Sequence, residues 1–64
     1  MKDKNEIVIE IGDTVQAPEP NDSDTYLYEF TGAVQGFHDK FVTVRDGEDE
    51  CFDIEPERLE ITNE

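Results

Sequence analysis

The apolar residues of this 64-residue chain are grouped in short runs and are not spread evenly. Within these runs, which are rich in β-branched and aromatic side chains, apolar and polar positions alternate with the period of two that is typical of a half-buried strand. No stretch shows the 3.6-residue period of an amphipathic helix. The pattern therefore predicts an all-β chain. The clearest runs cover residues 7–9, 26–30, 41–44 and 52–54.

The same pattern gives the order of the elements. Strands are predicted over residues 6–11, 14–17, 26–37, 41–45, 50–54 and 59–61. Gly32 in the longest strand predicts a bulge or a sharp bend. Asp46-Gly47 predicts a tight hairpin with positive φ at both central positions. Pro56 suits the first position of a 3₁₀ turn before the last strand. Whether residues 6–11 pair within their own chain or with a neighbouring chain stays open.

Length sets the domain organisation. A chain of 64 residues is one domain, which we assign to residues 6–62. Residues 1–5 are polar and are expected to be a frayed tail, as are residues 63–64. Residues 18–25 hold two of the three prolines and are predicted to be a loop.

The charge balance narrows the choice of partners. The chain has 18 acidic and 5 basic residues, for a net charge of −13. Such a surface repels phosphate, which argues against nucleic acid and anionic membranes as ligands. It attracts basic protein surfaces and cations, and it also keeps a small protein dispersed. We therefore expect a monomer whose partner, if any, is a basic protein surface.

The cysteine count and the absence of long apolar runs bear on the compartment. Cys51 is the only cysteine, so no intramolecular disulfide can form. The lysines near the start are not followed by the apolar segment of a signal peptide. No apolar run approaches the roughly 20 residues that cross a bilayer. We expect a cytoplasmic protein.

The order of several short motifs over residues 11–62 resembles small SH3-like barrels of the Tudor and KOW kind. The resemblance implies a five- to six-stranded SH3-like barrel with one 3₁₀ turn before the last strand. The chain is also similar to short bacterial proteins of this architecture, a likeness that implies no defined activity. The motifs are Gly-Asp-x-Val at 12–15, Gly-x-Val at 32–34, a strand ending in Asp-Gly at 42–47, an apolar-polar-apolar run at 52–54 and a Pro-led turn at 56–59.

The functional side of the resemblance points to an aromatic site. Tudor domains hold a methylated cation in a cage of aromatic rings, a cation–π interaction. Tyr26, Phe37 and Phe41, near the acidic Asp39, are the residues that this resemblance implies for such a cage. Packing of the same rings in or over the core is the alternative interpretation. The net charge departs from the basic surfaces of KOW modules, and the chain lacks the tryptophan with which SH3 domains bind proline-rich peptides.

No residue pattern predicts catalysis. His38 lies beside Asp39, but a base needs a nucleophile or substrate within reach, and Ser23, the only serine, is in the predicted loop. Cys51 is surrounded by carboxylates, which disfavour its thiolate. We therefore predict no catalytic residue, no cofactor and no enzymatic activity.

Carboxylates crowd the predicted hairpin at Asp46, Glu48, Asp49 and Glu50. These oxygens attract divalent cations, but the one EF-hand-like start, at residues 22–26, lacks the third ligand and the glycine, so no metal ligand is assigned. We predict that the four acidic residues, with the three aromatic ones, contact a partner.

Three functions fit these observations. The first is a non-enzymatic acidic interaction module that docks on a protein partner. The alternatives are a nucleic-acid mimic or chaperone of a basic protein, and a regulatory domain linked to a divalent cation.

The charge also predicts how stability responds to salt. Neutral salt should raise the melting temperature, because screening relieves the repulsion among the carboxylates. Thermal unfolding followed by circular dichroism at increasing sodium chloride concentration measures this. A melting temperature that does not respond to salt would contradict the prediction.

Overall fold

A computed structural model describes residues 1–22 and 24–62, and it contains one antiparallel sheet of five strands. The strands are β1 (Thr14–Ala17), β2 (Phe30–His38), β3 (Phe41–Arg45), β4 (Cys51–Ile54) and β5 (Glu60–Ile61). A 3₁₀ turn at Pro56–Arg58 precedes β5. The predicted all-β class and the turn before the last strand are thus confirmed. Ser23 of the predicted loop and the predicted tail at 63–64 lie outside the described residues.

The order across the sheet is β4-β3-β2-β1-β5. Every neighbouring pair is antiparallel. Within the described part of the chain, β4 and β5 each pair with one strand and not with each other, so the sheet is not closed. The sheet therefore has two edges, the outer side of β4 and the outer side of β5.

One face of the sheet supplies an aliphatic core. Val42 and Val44 lie opposite Ile54 and Phe52 across the β3–β4 ladder, so their side chains share the inner face. The alternation predicted for β1, β3 and β4 holds. The side chains with 0% exposure are Val15, Ala17, Val34, Val42, Val44, Ile54 and Leu59.

β2 begins four residues later than predicted. Ala17 pairs with Phe30, which is the last pair of the β1–β2 ladder. The ladder ends there, and Tyr26 lies outside the sheet. Its hydroxyl donates to the Pro18 carbonyl oxygen at 2.9 Å. Tyr26 is thereby 5% exposed, whereas Tyr28, two residues further along the predicted strand, is 78% exposed.

The strand predicted over residues 6–11 does not form. This segment makes only an isolated bridge, between Lys2 and Val8. Glu6 adopts a left-handed conformation with φ of 64°, which turns the chain. Only Ile9 of the four aliphatic residues is buried, and it packs on the core of its own chain. The others are Ile7, Val8 and Ile11, which are more than half exposed.

The segment expected to be a frayed tail is instead held by Asp3, which is 3% exposed. The Asp3 carboxylate accepts hydrogen bonds from the backbone N–H groups of Asn5 and Ile7, at 2.9 and 2.8 Å, and of Ile61 in β5, at 3.0 Å. The Lys4 N–H donates to the Leu59 carbonyl oxygen at 2.9 Å. Residues 1–9, which we call the N-terminal hook, thus cover the outer edge of β5.

The charged form of Asp3 is favoured in this position. Burial raises the pKa of its carboxyl group, but the three backbone donors, Ile61, Ile7 and Asn5, outweigh burial and hold the pKa below its usual range. The composition does not single out Asp3 for this buried role, because Asp3 is one of 18 acidic residues.

The predicted bulge at Gly32 and the predicted hairpin at Asp46-Gly47 both differ from the structure. The register shift between β2 and β3 lies between Val34 and Gly36, not at Gly32. The β3–β4 connection is wider than a two-residue turn, because the Asp46 N–H donates to the Glu50 carbonyl oxygen at 2.9 Å. Asp49, with φ of 64°, takes the left-handed conformation in that loop, and Gly47 does not.

Glycine is needed at position 32 for a reason other than a bulge. A Cβ atom at this position would collide with the backbone carbonyl oxygen of Arg45 and would lie 2.9 Å from Val44 Cγ1. A Cβ at Gly36 would meet nothing within 4 Å. Close approach of β3 therefore requires glycine at position 32.

We expect Gly32→Ala to destabilise the protein by about 1–3 kcal/mol, as overpacking typically does. Gly36→Ala is the matched control and should be neutral or slightly stabilising, because its φ is not positive and the site is open. Urea unfolding measures both. Equal effects of the two substitutions would contradict the assigned role of Gly32.

Candidate functional site

The three aromatic residues predicted to share a site do not form one cage. Tyr26 is buried, and its ring meets Phe30 and Phe52 edge-on with centroids 5.3 and 5.6 Å apart. Phe37 and Phe41 occupy adjacent register positions at the end of the β2–β3 ladder, so they point to opposite faces of the sheet. Tyr26 therefore has a packing role, and a methylated cation would find no three-sided cage among these rings.

Phe41 already has a cation of its own chain above it. Lys40 Nζ lies 5.9 Å from the centroid of the Phe41 ring, within the range of a cation–π contact. Phe37 is 44% exposed at the tip of the hairpin. A partner-binding role for Phe37 and Phe41 stays a prediction.

The four acidic residues of the β3–β4 loop divide into two kinds. Asp46 caps the loop, since its Oδ1 accepts the N–H groups of Glu48 at 2.8 Å and Glu50 at 3.0 Å. Asp49 faces Arg45, with Oδ1 and Nη1 3.4 Å apart, and is 86% exposed. Glu48 and Glu50 are exposed, and in the described chain their carboxylates form no ion pair. Only these two are therefore free to meet a partner cation at no structural cost.

A row of neighbouring depressions lies between β4 and the residues that lead into β2. It consists of three adjoining depressions of about 760, 490 and 400 Å³. The first and second share Asp24 and Asp53, and the second and third share Tyr26 and Phe52. We call this feature the β4 groove. Glu48 and Glu50 line its third part, beside the β3–β4 loop.

An ion pair fixes the position of Asp24, which lines the β4 groove on the side opposite β4. Arg58 Nη1 and Nη2, from the 3₁₀ turn, donate to Asp24 Oδ1 and Oδ2 at 3.2 and 3.0 Å. The Asp24 side chain is 8% exposed and also accepts the Asn21 N–H at 2.8 Å. Such a bidentate contact fixes the relative orientation of the two side chains as well as their distance. No sequence pattern predicts this pair, because its partners are 34 residues apart.

The ion pair shifts the pKa values around it. The hydrogen bonds from Arg58 hold the pKa of Asp24 below its usual range, even though burial opposes this. Asp24 in turn raises the pKa of the Arg58 guanidinium. Burial, and then the nearby charge of Asp24, raise the pKa of the Tyr26 hydroxyl. The pair is therefore fully charged at neutral pH, and Tyr26 is protonated.

Leu27 and Tyr28 are the residues that sequence reasoning missed. Alternation placed them inside a strand, but they lie on the connection before β2, and each is 78% exposed. They line the third part of the β4 groove together with Glu29, and a neighbouring depression of about 320 Å³ with Glu19. Two large apolar side chains thus stand among carboxylates at one end of the groove.

The residues weighed for catalysis and metal binding are separated. His38 lies with Asp39 at the opposite end of the β4 groove from Leu27 and Tyr28, and Cys51 is exposed on β4. In residues 1–22 and 24–62, no three His, Cys, Asp or Glu side chains converge as metal ligands. The same residues include no helix of the length and hydropathy that a membrane span requires.

The Asp24–Arg58 pair predicts a pH-dependent contribution to stability. Because the pKa of Asp24 is lower in the folded protein than in the unfolded chain, where it is about 3.9, the contribution is present above that value. It is lost as the pH falls through the folded pKa. We expect Asp24→Asn to destabilise by about 2 kcal/mol at neutral pH, as loss of hydrogen bonds to a charged group does.

Unfolding by urea at several pH values measures the difference between Asp24→Asn and the wild type. The difference should shrink below about pH 4. The exposed Asp22→Asn is the matched control and should stay within about 0.5 kcal/mol throughout. A difference that persists unchanged into acid would show that the charge of Asp24 is not what stabilises the fold.

Comparison with known proteins completes the description of the site. Neither family models, nor curated proteins, nor solved structures contain a significant match to this chain. The function must therefore be argued from the β4 groove and its surroundings.

Proposed function

We propose that this protein is a non-enzymatic interaction module that works as a monomer in the cytoplasm and docks on a basic segment of a protein partner. The observation that carries the proposal is the exposure of Leu27 and Tyr28, 78% each, at the acidic end of the β4 groove. Apolar side chains with a polar rim are typical of protein interaction sites.

Each part of this surface has a separate task in binding. A tyrosine supplies a large contact area at low conformational cost and is enriched among the residues that dominate binding energies. The rim carboxylates, Glu19, Glu29, Glu48 and Glu50, attract and orient a basic partner, and this affects the association rate more than the final affinity. The net charge of −13 extends that attraction beyond the site.

The proposal includes an SH3-like barrel as the fold, one that stays open between β4 and β5. Three observations support it: β1 pairs with both β2 and β5, the β2–β3–β4 strands form a meander, and the 3₁₀ turn comes directly before β5. Leu27 and Tyr28 lie on the connection between β1 and β2.

The nucleic-acid mimic makes a different use of the same charge. A mimic would need the carboxylates but not the two apolar side chains. Leu27 and Tyr28 therefore distinguish docking through an apolar contact from docking through charge alone.

We expect the immobilised protein to retain a basic partner from native lysate at low salt and to release it at high salt. The variant Leu27→Ser/Tyr28→Ser should weaken binding of that partner by about tenfold or more, as loss of central apolar contacts does. Because both residues are exposed, the fold should survive. Isothermal titration with the purified partner measures the affinities.

The matched control for this variant is Ile11→Ser, since Ile11 is 67% exposed and lies outside the β4 groove. It should bind like the wild type. Unchanged binding by the double variant, with loss on Glu48→Gln/Glu50→Gln, would favour the mimic. Retention that resists both salt and the double variant would overturn the proposal.

A further inference from the structure

The rest of the described chain covers the sheet edge at β5 and leaves the edge at β4 uncovered. The outer edge of β5 is covered by the N-terminal hook, through Asp3 to the Ile61 N–H and through the Lys4 N–H to the Leu59 carbonyl oxygen. β4 pairs with β3 alone, and among the described residues no further backbone hydrogen bond reaches its other side. An uncovered edge is a template for an added strand.

The ladder shows which groups the free edge offers. The Asp46 N–H donates to the Glu50 carbonyl oxygen. In an antiparallel pair, residues alternate between bonding the neighbour and pointing away from it. Val44 and Phe52, two positions further along, therefore bond each other, and the N–H and C=O groups of Cys51 and Asp53 point to the open side.

The space beside this edge is the β4 groove. Its second part, about 490 Å³, lies between residues 51–53 of β4 and residues 24–26. β4 has four residues, so about 13 Å of extended partner would pair with it, at roughly 3.3 Å per residue. Cys51 and Asp53 are exposed and do not obstruct approach.

Charge identifies the occupant. Glu57, and Glu55 in its ion pair with Arg58, line the groove with Lys40 beyond one end of β4. Glu48 and Glu50 line it beyond the other end. Asp53 lies between them, and its Oδ1 accepts a hydrogen bond from the Thr43 hydroxyl at 2.7 Å. A second copy of this chain would bring like charges together, whereas a segment rich in lysine or arginine would be attracted at both ends.

We propose that the free edge of β4 binds an extended, lysine- or arginine-rich segment of the partner as an added antiparallel or parallel strand. Main-chain hydrogen bonds to Cys51 and Asp53 hold it, and the flanking carboxylates select its charge. This inference rests on the proposed function, because it specifies how the basic partner binds.

The test uses a synthetic heptapeptide of alternating lysine and valine as the probe. Two further versions carry methyl groups on alternate backbone nitrogens and block opposite edges of the peptide strand, with the charge unchanged. The unmodified peptide should bind and shift the amide NMR signals of Cys51 and Asp53. One methylated version should bind at least about tenfold more weakly, because it loses hydrogen bonds, and the other should bind like the parent.

A protein variant provides the complementary measurement. Cys51→Pro removes an outward N–H but no bond to β3, a position at which edge strands tolerate proline. It should lower the affinity for the unmodified peptide while circular dichroism shows a folded sheet. Should it fail to fold, the two methylated peptides decide the question by themselves.

The outcomes separate the two proposals. Equal binding of all three peptides would overturn strand addition and leave docking on a basic segment standing. Failure of all three to bind at low salt would overturn both. Peptide-independent dimerisation through β4 would also overturn the inference, because the edge would then belong to a second copy.

Discussion

The carboxylate of Asp3 is the interaction on which the rest of the structure depends. An open sheet has two edges with unpaired backbone groups, and a chain of 64 residues has little material with which to cover them. Asp3 folds the N-terminal hook onto β5 and provides an acceptor for Ile61. The hook also brings Ile9 onto the core. Asp3 and the Lys4 N–H thereby cover the edge at β5, and Ile9 adds to the apolar face.

Because the N-terminal hook covers the edge at β5, the edge at β4 is the one that stays open to a partner in the described part of the chain. β4 runs beside a groove whose far wall is fixed by the Asp24–Arg58 pair and by the Tyr26 ring. These contacts give the loop before β2 a defined position, and Leu27 and Tyr28 are exposed because the residues around them are held. The acidic surface then serves two purposes: it discourages self-pairing of the free edge, and it attracts a basic partner.

Much of the fold could be predicted from the sequence, because period-two alternation reports directly which side chains face the core. This works for Val15 and Ala17, for Val42 and Val44, and for Ile54. It fails where a polar or conformational contact overrides alternation. Residues 6–11 alternate well, but Glu6 turns the chain. Alternation does not apply at Tyr26 and Tyr28 because the β1–β2 ladder ends at Phe30. The apolar part of the candidate site cannot be predicted for the same reason, because alternation places Leu27 and Tyr28 inside a strand.

Amide hydrogen exchange of the free protein, followed residue by residue by NMR, tests the central claim that one edge is closed and the other open. The amides of Ile61 and Ile7 should exchange slowly, because the Asp3 carboxylate accepts both. Phe52 and Ile54 should also be slow, and Cys51 and Asp53, between and beside them on the same strand, should exchange fast. Slow exchange at Cys51 and Asp53, or fast exchange at Ile61, would contradict the account.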